Sequence, residues 1–200
     1  ADALAGLARR IDDSLLSAVD LIRNVRGCVI VCGIGKAGLV GEKIAATLTS
    51  TGSPAVVLNS LNALHGDLGV VGDGDVVLAL SYSGETDELI NILPALARFD
   101  VKKIAITGAV GSTLARASDA VLDVRVTQEA CPLNLAPTSS TTAMLVLGDA
   151  LAMAAQTEGG ELLLSFLALR GRVAWARVWV SDMTPLFQAL PGASFIVNGA

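Results

Sequence analysis

Residues 81–86, Ser-Tyr-Ser-Gly-Glu-Thr, set three hydroxyls around one glycine where the apolar run DVVLAL (75–80) passes into a helical pattern. That combination suits a phosphate. The free amides at a helix N-terminus donate, the aligned peptide dipoles favour negative charge, and a glycine lets the ligand approach. Simple capping of the helix would need one hydroxyl, with Ser83 placed for it and Glu85, Asp87 and Glu88 favourable in the first turn. Ser81, Ser83 and Thr86 around Gly84 exceed that need.

Three more positions carry chemistry. Lys36 lies inside the turn CGIGKAG (32–38), where a strand's carboxyl end would aim its ammonium at a ligand crevice. His65, the only histidine, sits in the glycine-bounded stretch NALHGDLG (62–69) with Asp67 two residues on. A neutral imidazole there could move a proton near pH 7, and a satisfied structural histidine is the plain alternative. Glu129 follows another strand and precedes Cys131 and Pro132. In an apolar, proline-fixed loop its pKa is expected to rise, which suits a base, against the alternative of an exposed loop glutamate. PTSSTT (137–142) reads as a helix start that adds hydroxyls to the same crevice. Cys131 has no second histidine to activate it as a nucleophile.

The glycines Gly33, Gly35 and Gly38 follow the dinucleotide spacing GxGxxG. That site also needs a ribose-binding carboxylate about 20 residues further on. No Asp or Glu occurs between Glu42 and Asp67, the second strand ends in Asn59, and no Arg replaces the acid. The turn is therefore read as close helix–strand packing, and no cofactor is expected.

These loops need a frame. Continuous apolar runs at 28–33, 54–59, 75–80, 102–107 and 120–126 alternate with helical patterns at 37–51, 86–98, 111–118 and 138–157. A further helix near 4–24 precedes the first run. Strands apolar on both faces, alternating with helices, predict an α/β three-layer sandwich: a doubly wound, five-stranded parallel sheet. Ligands in such sheets sit at the strands' carboxyl ends. The chain has 200 residues, 52% of them hydrophobic and only 4% aromatic, which fits layers packed through Ala, Val and Leu. A net charge of −5 with no basic block speaks against nucleic acid. No uncharged run has the length and apolarity of a membrane span. Cys28 and Cys32 on one strand would stand roughly 13 Å apart, too far for a disulfide, which needs about 7 Å. With an odd cysteine count and no metal-ligand spacing, the expectation is reduced core cysteines, no metal and a cytoplasmic protein. The pattern changes after Gly159-Gly160, so residues 1–160 are read as one domain and 161–200 as an extension and connector.

GIGKAG, HGDLG, SYSGET and QEACPLNLAPTSST, in this order and spacing, resemble the sugar isomerase (SIS) domain of arabinose 5-phosphate isomerases over roughly residues 10–158. The resemblance implies interconversion of D-arabinose 5-phosphate and D-ribulose 5-phosphate, an early step towards the lipopolysaccharide sugar Kdo. By motif, Ser81, Ser83, Gly84 and Thr86 would hold the phosphate, and Lys36, His65, Glu85 and Glu129 would be the catalytic groups. Isomerisation through an enediol(ate) needs a base at carbon 2 and a cation or acid at the carbonyl oxygen. Glu129 is the candidate base, Lys36 the oxyanion partner, and His65 an aid to ring opening or proton shuttling. The resemblance also implies homotetramers with sites at subunit boundaries, no metal, and often a following pair of CBS domains. Family members carry a second active-site histidine in a SHPGG segment. Aligned back from VSDM (180–183), that place reads SFLALRG, with Ser165 kept and Phe166 at the histidine's position. On that departure rests an alternative reading: a phosphosugar-binding or regulatory module without turnover.

Overall fold

Each apolar run becomes a strand of one parallel sheet. The computed structural model describes residues 1–156. Strands β1 (Val29–Gly33), β2 (Ala55–Leu58), β3 (Val76–Leu80), β4 (Lys102–Thr107) and β5 (Ala120–Asp123) pair in the order β2-β1-β3-β4-β5. All four pairings are parallel, and Gly33 registers with Leu80 at the carboxyl ends of β1 and β3. The α/β sandwich expected from the sequence is the fold observed.

Side chains alternate across the sheet with period two, so an all-apolar strand serves two cores. Val29, Val31, Val76, Leu78 and Leu80 pack on one face against α2 (Asp13–Arg23), α3 (Gly35–Ser50) and α6 (Ser139–Gln156). Ile30, Cys32, Val77 and Ala79 pack on the other face against α4 (Asp87–Leu96) and α5 (Thr113–Arg116). Ile44 and Leu48 of α3 and Leu147 and Leu151 of α6 are buried together, each contributing roughly 1.5–3 kcal/mol by leaving water. Lys43 of α3 pairs with Asp149 of α6 at 2.5 Å beside that contact.

The N-terminal helix differs from the single element expected at 4–24. It is two helices, α1 (Asp2–Arg10) and α2, broken at Ile11–Asp12. Asp12 takes the N-cap position of α2, its side chain accepting from Ser14 N at 2.9 Å. A capping carboxylate needs extended backbone, and this ends the preceding helix. The helix expected at 111–118 shortens to the four residues of α5, capped by Ser112. The three cysteines are free, but only Cys32 is buried; Cys28 and Cys131 are partly exposed, so the expectation of core cysteines holds for one of them. No helix among the described residues is long and apolar enough to cross a membrane. The domain boundary expected at 160, and Phe166, lie outside the described residues.

Candidate active site

The order β2-β1-β3-β4-β5 creates a switch point between β1 and β3. From β1 the chain runs through α3 to β2 on one side, then returns to build β3 on the other. Loops leaving the carboxyl ends of β1 and β3 therefore diverge and leave a crevice. Lys36 leaves one strand and the hydroxyl loop leaves the other.

The hydroxyl loop is internally organised. Ser81 is buried, and its Oγ shares a 2.7 Å hydrogen bond with Thr86 Oγ1 and accepts from Gly84 N at 3.0 Å. Ser83 Oγ lies 3.5 Å from Ser81 Oγ and accepts from Glu85 N at 3.2 Å. Gly84 has φ +64°, and a Cβ there would stand 1.9 Å from Ser112 Oγ. Only glycine satisfies both the backbone angle and that approach. Ser83 does not cap α4, as simple capping would have it: Thr86 holds the N-cap position and no side chain caps the helix. The α3 helix likewise begins without a side-chain cap, with Lys36 exposed in its first turn. Two helix N-termini with unfilled first turns thus flank the switch point. The helices after β4 and β5 are different. Ser112 caps α5, and Glu129 serves α6.

Glu129 departs from its expected character. Burial pushes its carboxyl up, but hydrogen bonds from Ser140 and Thr138 outweigh that and hold it below the usual carboxylate range. One oxygen accepts from Thr138 N at 2.8 Å, Thr138 Oγ1 at 3.1 Å and Ser140 N at 3.2 Å. A carboxylate at a helix start is stabilised as the anion, which is why the expected rise is a fall. Thr138 Oγ1 also accepts from Ala130 N, so this hydroxyl closes the loop on itself. Cys131 Sγ accepts from Leu135 N at 3.0 Å and Ala136 N at 3.1 Å. The Ala136 amide, helped by its neighbours, holds the thiol below its ordinary value against a small burial effect.

Glu85 also has a local partner. Its Oε1 accepts from Thr113 N at 2.7 Å, and this bond, with the nearby Arg116, lowers its pKa. His65 ends a short 3-10 turn, Ala63–His65, beyond β2 and is exposed. Neither His65 nor Lys36 makes a side-chain hydrogen bond or ion pair among the described residues. The carboxyl ends of β1 and β3 bring Lys36 and the hydroxyl loop to either side of the switch point, and His65 follows the neighbouring strand β2. Glu129 follows the edge strand β5, but its carboxylate is held at the start of α6, which packs along α3, and it makes no direct bond to the hydroxyl loop.

The SIS domain family matches residues 21–154, two thirds of the chain. The chain belongs to the SIS domain family. An arabinose 5-phosphate isomerase, KdsD, of Pseudomonas aeruginosa is 52% identical over 153 residues, covering 76% of this chain and 47% of that protein. An arabinose 5-phosphate isomerase, GutQ, of Salmonella typhimurium is 51% identical over 154 residues, covering 77% of this chain and 48% of that protein. The chain thus spans about half the length of the curated relatives it matches. A protein of E. coli CFT073 solved in complex with A5P superposes with a TM-score of 0.72 at 35% identity, covering 82% of this chain and 91% of that one.

Within this SIS domain, sequence reasoning missed the residues that brace the loops. Ser112 and Thr107 are buried beneath Gly84. Their role has no local signal, because they come from the next strand and its loop. Tyr82 was passed over between two serines, and its contacts too are non-local. No group of three or more His, Cys, Asp or Glu residues among the described residues could hold a metal ion.

Proposed function

We propose that the chain is the isomerase domain of an arabinose 5-phosphate isomerase, converting D-arabinose 5-phosphate to D-ribulose 5-phosphate in cytoplasmic synthesis of the lipopolysaccharide sugar Kdo. The observation that carries the reading is the hydroxyl loop braced around Gly84 at the β1/β3 switch point, between two uncapped helix N-termini. It is supported by relatives near 50% identity that bear that activity in their names. Ser83 and Thr86 hydroxyls and the first-turn amides of α4 would hold the phosphate, and buried Ser81 keeps the loop in shape.

The sugar then extends from a fixed phosphate, which removes most of its freedom before chemistry begins. In the open-chain aldose a base takes the proton from carbon 2, and the electron pair moves onto the carbonyl at carbon 1. The Lys36 ammonium, free of any ion pair among the described residues, stabilises the oxyanion that develops. The hydroxyl proton on the carbon-2 oxygen passes to the carbon-1 oxyanion, the same base returns its proton to carbon 1, and the carbon-2 oxygen becomes the ketone. Glu129 is our candidate base. Its depressed pKa keeps it ionised at neutral pH, and because Thr138 and Ser140 both bond to the same oxygen, the other is open to the substrate. His65 would assist ring opening, and Glu85 anchors the hydroxyl loop to the start of α5.

Assembly of identical subunits, as a tetramer, accompanies this reading. The edge strand β2 exposes Val56 and Val57, and Leu61, Leu64 and Val70 are exposed on either side of His65. An apolar edge of this kind is covered in stable proteins, and a second copy would enclose His65.

The deciding experiment is a coupled assay of the purified protein with arabinose 5-phosphate beside a Glu129→Gln variant. Turnover in the parent and its loss in the variant are expected. A parent that is stabilised by the sugar phosphate but does not turn it over would replace this reading with the binding-module one, for which Phe166 is the sequence argument.

A further inference from the structure

Tyr82 sits inside the hydroxyl loop, yet its side chain leaves the crevice and crosses the sheet. Its hydroxyl accepts from Val126 N at 3.0 Å and donates to Val126 O at 3.4 Å, closing both polar groups of one residue beyond β5. Its carbonyl accepts from Gly108 N at 3.0 Å and Thr107 Oγ1 at 3.2 Å at the end of β4. Between these anchors the ring lies on Gly108, where an added Cβ would stand 2.5 Å from Cε2 and 2.8 Å from Cζ. β5 lies two strands from β3, roughly 10 Å across the sheet. Gly108 leaves the room for the ring to pass over the strand between. One residue therefore ties together the ends of β3, β4 and β5.

What it ties matters for the site. The hydroxyl loop begins at Ser81, directly before Tyr82, and Glu129 stands three residues after Val126. Thr127 and Gln128, between the clamp and Glu129, are exposed and make no hydrogen bond among the described residues. The Tyr82 hydroxyl is thus the last fixed point on the N-terminal side of Glu129, whose carboxylate is held on the other side by Thr138 and Ser140 at the start of α6. The two loops make no other direct hydrogen bond.

We propose that Tyr82 is a positioning residue that sets the separation between the phosphate-holding loop and the loop bearing Glu129. Its kinetic consequence rests on the isomerase reading above. The ring wedged on Gly108 fixes the direction of the strut, and the hydroxyl clamped at Val126 fixes its length. A sugar phosphate anchored at Ser83 and Thr86 then meets Glu129 at a set reach.

Tyr82→Phe is the direct test, because it keeps the ring and all backbone contacts and removes only the clamp. Hydrogen exchange should quicken about tenfold at the hydrogen-bonded amides of Val126, Glu129 and Ala130 while 81–90 is unchanged. With arabinose 5-phosphate, kcat should fall about tenfold or more, while KM and inhibition by inorganic phosphate stay within about twofold. Gly108→Ala, which keeps the hydroxyl but displaces the ring that carries it away from Val126, should reproduce both patterns. Unchanged exchange at Val126, Glu129 and Ala130 overturns the strut, as does a loss of phosphate affinity in step with kcat, which would mark general loosening of the fold. An unchanged kcat overturns the positioning role. If the parent protein itself fails to turn over the sugar, the isomerase reading falls, and the exchange measurement still decides whether Tyr82 couples the loops.

Discussion

The loop after β3 and the loop after β5 treat the helix that follows them in opposite ways. In residues 81–86 side-chain hydroxyls bond to one another around a left-handed glycine, over the buried floor of Ser112 and Thr107. Both loops use side chains to accept backbone amides, but in residues 127–138 these acceptors include a carboxylate, an amide oxygen and a thiol and reach further along the chain: Asn134 from Glu129 N, Cys131 from Leu135 and Ala136, Glu129 from Thr138 and Ser140. Leu133 and Leu135 stand more than three-quarters exposed. The first loop leaves the start of α4 open, and the second fills the start of α6 with its own carboxylate. Similar sequence cues, hydroxyls ahead of a helix, therefore have two outcomes. A vacant helix start invites an external anion, and an occupied one holds a loop in shape.

The comparison breaks most severely at Gly84. Gly84→Ala combines a positive φ with a Cβ 1.9 Å from Ser112 Oγ. It should cost about 3 kcal/mol, seen as a fall in Tm of roughly 10 °C. Gly35→Ala has a similar φ of +58° and open space around it. It should cost about 1 kcal/mol, the backbone penalty alone. Equal losses for the two would mean that Ser112 is not a rigid floor.

Ser81→Ala is the next largest. It leaves Thr86 Oγ1 without its buried partner and takes one of two acceptors from Gly84 N, which keeps the Ser81 carbonyl, at about 1–3 kcal/mol. Inorganic phosphate should also bind more weakly, by isothermal titration, because the loop loses its shape. Retained phosphate affinity at reduced Tm would separate the loop's stability from its binding.

Glu129→Gln probes the second loop more gently. The folded-state pKa of Glu129 lies below the usual carboxylate range, so its anion stabilises the fold at neutral pH. That contribution is lost as pH falls through the ordinary glutamate value near ~4.3 and below. It should stay under about 1 kcal/mol because the group is partly solvated. The Tm gap between parent and variant should therefore close in acid. A gap that widens in acid would contradict the capping role.

The smallest perturbation is chemical labelling. Cys131, held by amides and partly exposed, should react first with a thiol reagent, ahead of Cys28, whose thiol is pushed up by burial and by Asp75. Cys32, fully buried with its thiol pushed up to about 12, should react last. Early reaction of Cys32 would mean that the sheet opens more readily than the loop.

Much of this was legible before any coordinates. The all-apolar runs could only be buried on two faces, so they implied a parallel sheet, and its loops at one end followed. The identity of the hydroxyl loop was readable because its groups lie within six residues, close enough for local chain geometry to bring them together. The break at Asp12 was less readable, because a helical periodicity continues through it and only the capping bond interrupts it. The charge state of Glu129 was not readable at all. The apolar and proline neighbours in sequence pointed to a raised pKa, whereas Thr138 and Ser140, nine and eleven residues on, fold back to lower it.

By itself, the sequence determined the layers, the direction of the strands and the chemical character of each loop, because periodicity and local spacing act over a few residues. Tertiary structure decided which loops share the crevice, which helix starts stay open, and how Tyr82 joins β3 to β5 over Gly108. Those outcomes depend on strand order and on approaches of a few ångströms between residues far apart in the chain, and no short stretch of sequence encodes them alone.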